Sequence, residues 1–116
     1  MIIKRELNIA VTRQQYNNNV SSYDGFETEE YYILDFERLY AKVLAHYKRI
    51  NKRFDLAKGA CKSSLYKAGL LEVEYENRGT GKEKLLYEKK YQIGTSRIRL
   101  LTIRKESLCN FITNQL

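Results

Sequence analysis

Four groupings in this 116-residue chain hold residue types that could do chemistry. Gly79-Thr80-Gly81-Lys82 has the glycines and lysine of a loop that cradles phosphate in backbone N–H groups. That pattern also requires glycine where Glu76 stands and Ser or Thr where Glu83 stands, so a hairpin turn accounts for it better. Glu88-Lys89-Lys90 supplies the Glu-x-Lys of a metal-dependent nuclease, with Asp55 as a distant carboxylate, but a basic strand matches so short a pattern often by chance. Tyr66 would be a nicking nucleophile only beside paired metal-binding histidines, and His46 is the single histidine. Cys61 and Cys109 form no CxxC pair or Cys/His cluster, which argues against structural zinc, and both read as small core residues in helices. His46, between Lys42 and Lys48, reads as a surface residue. No catalytic residue, metal or cofactor is expected, and the chain reads as a non-enzyme.

Charge is more informative than any of these groupings. Lys and Arg total 21 against 14 Asp and Glu, a net of +7, but the excess is not evenly spread. Residues 1–40 carry a net of −3 and residues 41–116 a net of +10, and within 41–67 eight cations face Asp55 alone. Such a stripe attracts a polyanion through its field and through counterion release. The chain is long enough for one domain and one core. No run of about 18 apolar residues exists, so no membrane span is expected. Met1-Ile2-Ile3-Lys4-Arg5-Glu6 has no long apolar core, so the expected location is cytoplasmic. Proline is absent where ordinary usage would put about six, which excludes a proline-rich linker or ligand.

The elements that must carry this charge follow from periodicity. Leu7 to Thr12 alternates apolar and polar, so residues 1–12 are read as a strand region. Residues 13–30 turn polar and read as a loop or arm. Residues 31–116 form the main body. Phe36, Leu39, Tyr40, Val43, Leu44, Tyr47 and Ile50 share one helical face, with Asp35 as N-cap and Lys48 and Arg49 in the last turn. A second, basic helix is expected from about Asp55, again an N-cap candidate, to Ala68, ended by Gly69. Its inward face would be Leu56, Ala60, Ser64 or Leu65, and Ala68, leaving Lys58, Lys62, Ser63, Tyr66 and Lys67 outward. The period then switches to two. Leu71, Val73 and Tyr75 alternate with Glu72, Glu74 and Glu76, the turn is Asn77 to Lys82, and Leu85 to Ile93 returns. A third strand runs from Arg97 to Ile103, with Ile98 and Leu100 on one face and Leu101 and Ile103 on the other. Leu108, Phe111 and Ile112 suggest a short terminal helix, a candidate dimer contact. Tyr40, Tyr47, Tyr75, Tyr87 and Tyr91 fall on expected core faces. Tyr16, Tyr23 and Tyr66 lie in polar surroundings, where rings among cations would stack on unpaired bases.

Helix, basic helix, glycine and a hairpin with a basic tip is the order of a winged helix–turn–helix. The phrase Lys62-Ser63-Ser64-Leu65-Tyr66-Lys67-Ala68-Gly69-Leu70-Leu71-Glu72-Val73 resembles the end of the recognition helix and the entry to the wing in winged-helix domains of plasmid, phage and other mobile-element proteins. Those include replication initiators, partition adaptors and transcription regulators. The resemblance spans about residues 50–93. It implies an α+β, winged-helix-like domain and a DNA-binding role, on duplex or single strands, in replication, partition or transcription control. Winged helices place a separate short helix before the recognition helix, and Ile50 to Asp55 leaves room for a turn. Either Asp55–Ala60 and Lys62–Ala68 are two short helices broken at Gly59, or the fold is winged-helix-like only.

On that reading Lys58, Lys62, Ser63, Tyr66 and Lys67 meet the groove. Arg78, Lys82 and Lys84 clamp phosphates from the wing, and Lys48, Arg49, Lys52 and Arg53 add backbone contacts. The competing reading is a small phage-encoded interaction module that inhibits a host nucleic-acid enzyme. Its acidic stretch from Asp24 to Glu37 would mimic DNA or meet a protein partner.

Overall fold

The computed structural model describes residues 7–77 and 83–108. Along them run β1 (Ile9–Ala10), α1 (Arg13–Asn18), a 3-10 turn (Val20–Ser22), β2 (Gly25–Glu27), β3 (Tyr31–Leu34), α2 (Phe36–Arg49) and α3 (Lys58–Lys67). Then follow β4 (Leu71–Glu72), β5 (Glu74–Asn77), β6 (Glu83–Leu86), β7 (Lys89–Ile93) and β8 (Ser96–Arg104). The result is a mixed α+β fold. Among the described residues no helix is long and apolar enough to cross a membrane.

Strand β8 organises the sheet. Its first half, Ser96 to Leu100, forms a hairpin with β7, closed at Gly94, whose φ of 61° glycine adopts without strain. Its second half pairs antiparallel with all of β3, from Leu34–Leu101 to Tyr31–Arg104, and Ile103 and Thr102 also pair with β4. β2 pairs antiparallel with β3, and β1 joins β2 in parallel, giving the order β1-β2-β3-β8-β4 with β7 attached to β8. The two-residue side-chain period splits the apolar residues between two faces. Tyr32, Leu34, Leu101 and Ile103 pack with Phe36, Leu39 and Leu71 on one face, beneath α2 and α3. Ile33 and Leu100 pack with Ala10, Tyr16, Phe26 and Ile93 on the other, where α1 sits. Ile98, Leu100, Leu101 and Ile103 divide between the faces as the alternation in β8 requires.

The long helix follows its sequence signals. Asp35 accepts a hydrogen bond from the Arg38 backbone N–H at 3.3 Å, and Lys48 and Arg49 occupy the last turn. Asp24, only 3 % exposed, binds this helix to the strand layer: its carboxylate accepts from Lys42 Nζ at 2.6 Å and from the Asn8 backbone N–H at 2.8 Å, with the Arg38 guanidinium at 3.5 Å. A buried carboxylate is tolerable only with such partners.

Several expectations are corrected. Residues 13–30 are an ordered part of the fold, holding α1, the 3-10 turn and β2. Thr12 caps α1 by accepting from the Gln15 N–H, and Tyr16 fills the second core, so one aromatic anchors a segment too polar to suggest packing. Asp55 does not cap the second helix. That helix starts at Lys58 after Ala57, without a side-chain cap, and Asp55 pairs with Arg53 at 2.9 Å. It runs through Gly59 as one helix and ends as expected: Gly69, at φ 76°, donates to Tyr66 and Leu70 donates to Leu65. No helix occupies residues 50–57. The returning strand is two strands, because β6 pairs with β5 whereas β7 leaves to pair with β8. Residues 105–108 are helical, and the rest of the expected terminal helix, with Phe111, lies outside the described residues.

Candidate functional site

The chain reverses after α2. Asn51 takes a left-handed φ of 59°, and Lys52 donates its backbone N–H to Tyr47 at 2.8 Å. Residues 50–57 then run back along the helix. Phe54 packs against Tyr47 and Tyr40 with ring centroids 5.1 and 6.1 Å away, and the Leu56 carbonyl accepts from the Tyr40 hydroxyl at 2.7 Å. α3 therefore begins beside the start of α2, where Lys58 pairs with Glu37 and lies 5.8 Å from the Tyr40 ring. The Glu37 hydrogen bond raises the Lys58 pKa and keeps it charged. Both helices end at the same end of the molecule, since His46 and Tyr47 share a groove with Ser64 and Ala68.

That end gathers half of the expected binding cations. Lys48, Lys52 and Lys67 are exposed and hold no carboxylate among the described residues. Arg49 is exposed beside them, and Arg53 and Asp55 form an open pair at 90 % and 76 % side-chain exposure. Ser63 is half-buried, and Ser64 is exposed where α3 borders the groove. Lys84 is exposed in β6 opposite Glu76. Arg78 and Lys82 lie outside the described residues.

Two expected contact residues face the other way. Lys62 donates to Glu88, with both side chains near one-fifth exposed, and its ammonium lies 4.7 Å from the Phe36 ring centroid. Tyr66 packs on Tyr87 at 5.5 Å and belongs to the first core. The cause is the rotation of α3. Cys61 and Leu65 turn towards the sheet, whereas Leu56, Ala60, Ser64 and Ala68, expected inward, are exposed. Burial raises the Cys61 thiol pKa, which disfavours the thiolate.

The stacking candidates also change places. Tyr16 is fully buried and Tyr23 half-buried, whereas Tyr75, expected in the core, is 55 % exposed on the β5–β6 hairpin. A hydrogen bond with Tyr66 pushes the Tyr75 phenol above its ordinary range. His46 is not an isolated surface residue but lines the groove between α2 and α3. Glu88 and Asp55, the carboxylates of the nuclease pattern, belong to separate ion pairs with Lys62 and Arg53.

The acidic stretch from Asp24 to Glu37 is not an arm. Asp24 is buried against Lys42, Asp35 caps α2, Glu27 pairs with Lys105 at 2.8 Å and Glu37 pairs with Lys58. Glu29 and Glu30 remain exposed at the β2–β3 turn. Phe54, an apolar side chain in a polar connection, has no place in the sequence-based expectations, and its position there was the available signal; Leu56, expected on the inward face of the second helix, lies in the same connection ahead of it. Comparison with family models, curated proteins and solved structures returns no match.

Proposed function

We propose that this chain is a non-enzymatic, winged-helix-like DNA-binding protein of a mobile genetic element, acting in replication, partition or transcription control inside the cell. One observation carries the reading. Exposed Lys48, Lys52 and Lys67, with Arg49 and Arg53 beside them, collect where α2 and α3 both end, and the carboxylate among them, Asp55, is already paired. Lys48, Lys52 and Lys67, which hold no carboxylate among the described residues, are cations of the kind that release counterions from a phosphate backbone. Ser63 and Ser64 beside Lys67 give α3 a small polar edge that a groove admits. The β5–β6 hairpin presents Lys84 as a wing would. The resemblance of residues 62–73 to the recognition helix and wing entry supplies the mobile-element and regulatory part of the reading.

Duplex DNA is favoured over single strands, because Tyr16, Tyr23 and Tyr66 are turned inward and offer no row of rings for unpaired bases. The test is fluorescence anisotropy with matched duplex and single-stranded oligonucleotides across a salt series. Four or five phosphate contacts predict a log–log salt slope of about −4, with duplex bound more tightly. No binding to either at about 50 mM salt overturns the reading.

A further inference from the structure

The groove between α2 and α3 is a second feature: the DNA reading uses Ser64 and the cations Arg49, Lys52 and Lys67 at its edge and leaves its apolar lining without a role. It encloses about 600 Å³, with Val43, His46 and Tyr47 on one wall, Cys61 and Leu65 on the other, and Phe54 at its side. Leu56 in its lining is 41 % exposed, and Leu44 and Ile50, on the same apolar stripe as the lining residues Val43 and Tyr47, are 40 and 47 % exposed. Isolated exposed apolar residues need no explanation, but three beside one apolar groove mark an interaction surface. The rim is basic. Arg49 lies one helical turn past His46, Lys67 one turn past Ser64, and Lys52 follows in the connection. Between residues 38 and 71 the sole carboxylate is Asp55, held by Arg53.

We propose that this groove docks an amphipathic α-helix of a partner protein, whose apolar stripe is bordered by Asp and Glu. The groove runs between two helices and offers apolar positions a turn apart, which is how a helix with anchors at i, i+3, i+4 and i+7 is received. The rim selects the charge of the occupant, because complementary potentials steer association and like charges oppose it. A second copy of this chain would set Arg49, Lys52 and Lys67 against themselves across a two-fold axis. A DNA backbone brings no apolar ridge to fill the cleft. The apolar residues line a concavity, which suits a helix better than a flat lipid surface.

The probe is a synthetic, fluorescein-labelled helical peptide about 18 residues long, with leucines at i, i+3, i+4 and i+7 and glutamates beside them. A control peptide carries lysine in place of every glutamate. With the full chain, the acidic peptide should bind at about 10–100 µM, and the lysine peptide at least about tenfold more weakly. Ala68→Glu should weaken the acidic peptide about tenfold, Ala68→Lys should not, and Ile50→Glu should repeat the loss. Circular dichroism confirms that each variant is folded. Equal binding of both peptides, no binding, or indifference to Ala68→Glu and Ile50→Glu overturns the proposal. So does displacement of the peptide by anionic vesicles, or self-association that these substitutions abolish. The proposal does not depend on the DNA reading: loss of peptide binding with salt-dependent DNA affinity intact overturns the docking site alone.

Discussion

Two substitutions separate side chains that hold the fold from side chains that face outward. Lys62 and Tyr66 share a helix with Lys67, yet Lys62 holds Glu88 beside the Phe36 ring whereas Lys67 holds no carboxylate among the described residues. Lys62→Ala should therefore cost about 1–2 kcal/mol of stability, between the values for open and fully buried pairs. Urea denaturation measures this, and the salt slope of DNA binding should stay unchanged. An unchanged urea midpoint with a flatter slope would return Lys62 to the binding surface. Tyr16 offers a second case. Its hydroxyl is buried and finds no hydrogen-bond partner among the described residues. Tyr16→Phe should then raise stability by about 1 kcal/mol by removing an unsatisfied polar atom. Burial first, and the Asp35 carboxylate next, raise the phenol pKa above 10.0. The neutral phenol thus stabilises the folded state below the ordinary value, and that stability is lost as pH rises through the folded value. The advantage of Tyr16→Phe should accordingly grow above about pH 10, which alkaline unfolding curves would show.

Among the elements, β2 and β3 have the narrowest tolerance. A Cβ on Gly25 would stand 2.1 Å from the Ile33 carbonyl oxygen and 2.8 Å from the Leu34 Cα, both backbone atoms that cannot step aside. Gly25→Ala should cost about 2–4 kcal/mol by forcing the pair apart. A thermal melt within a degree or two of wild type would show that the strands approach less closely. The same principle of local compatibility explains which elements were legible. α2 was readable because Asp35, a seven-residue apolar stripe and two terminal cations agree with one another. β8 was readable because its alternating apolar residues divide correctly between two faces. α1 was not, since Tyr16 is its single buried residue and the rest of its sequence is polar. Nor was the split between β6 and β7, because continuous alternation records side-chain direction and leaves open which neighbour a strand chooses.

At the scale of the whole molecule, basic charge divides into paired and unpaired populations. Arg99 pairs with Glu74, Arg104 with Glu72, Lys105 with Glu27 and Lys58 with Glu37. Lys48, Lys52 and Lys67 hold no carboxylate among the described residues. If DNA is the ligand, alanine at Lys52 and Lys67 together should lower the magnitude of the salt slope by about two, one per lost phosphate contact, with little change in stability. Alanine at Arg99 and Arg104 should leave the slope within error. Equal effects from both sets would mean that net charge alone, and not this arrangement, governs binding.

What the sequence determined by itself was the chemistry available and the elements whose signals are local: a net basic charge, a capped amphipathic helix, a Gly-terminated basic helix, alternating strands and a stripe of cations from residue 41 to 67. Tertiary structure alone decided which face each element buries. A ten-residue helix with small side chains has no dominant apolar stripe, so contact with Phe36, Tyr87 and Glu88 set the rotation of α3. That rotation turned Lys62 and Tyr66 inward and left Ser64 and Ala68 at the groove. The run-back of residues 50–57 placed Phe54 and Leu56 beside it, through contacts with Tyr40 and Tyr47 that no spacing along the chain encodes.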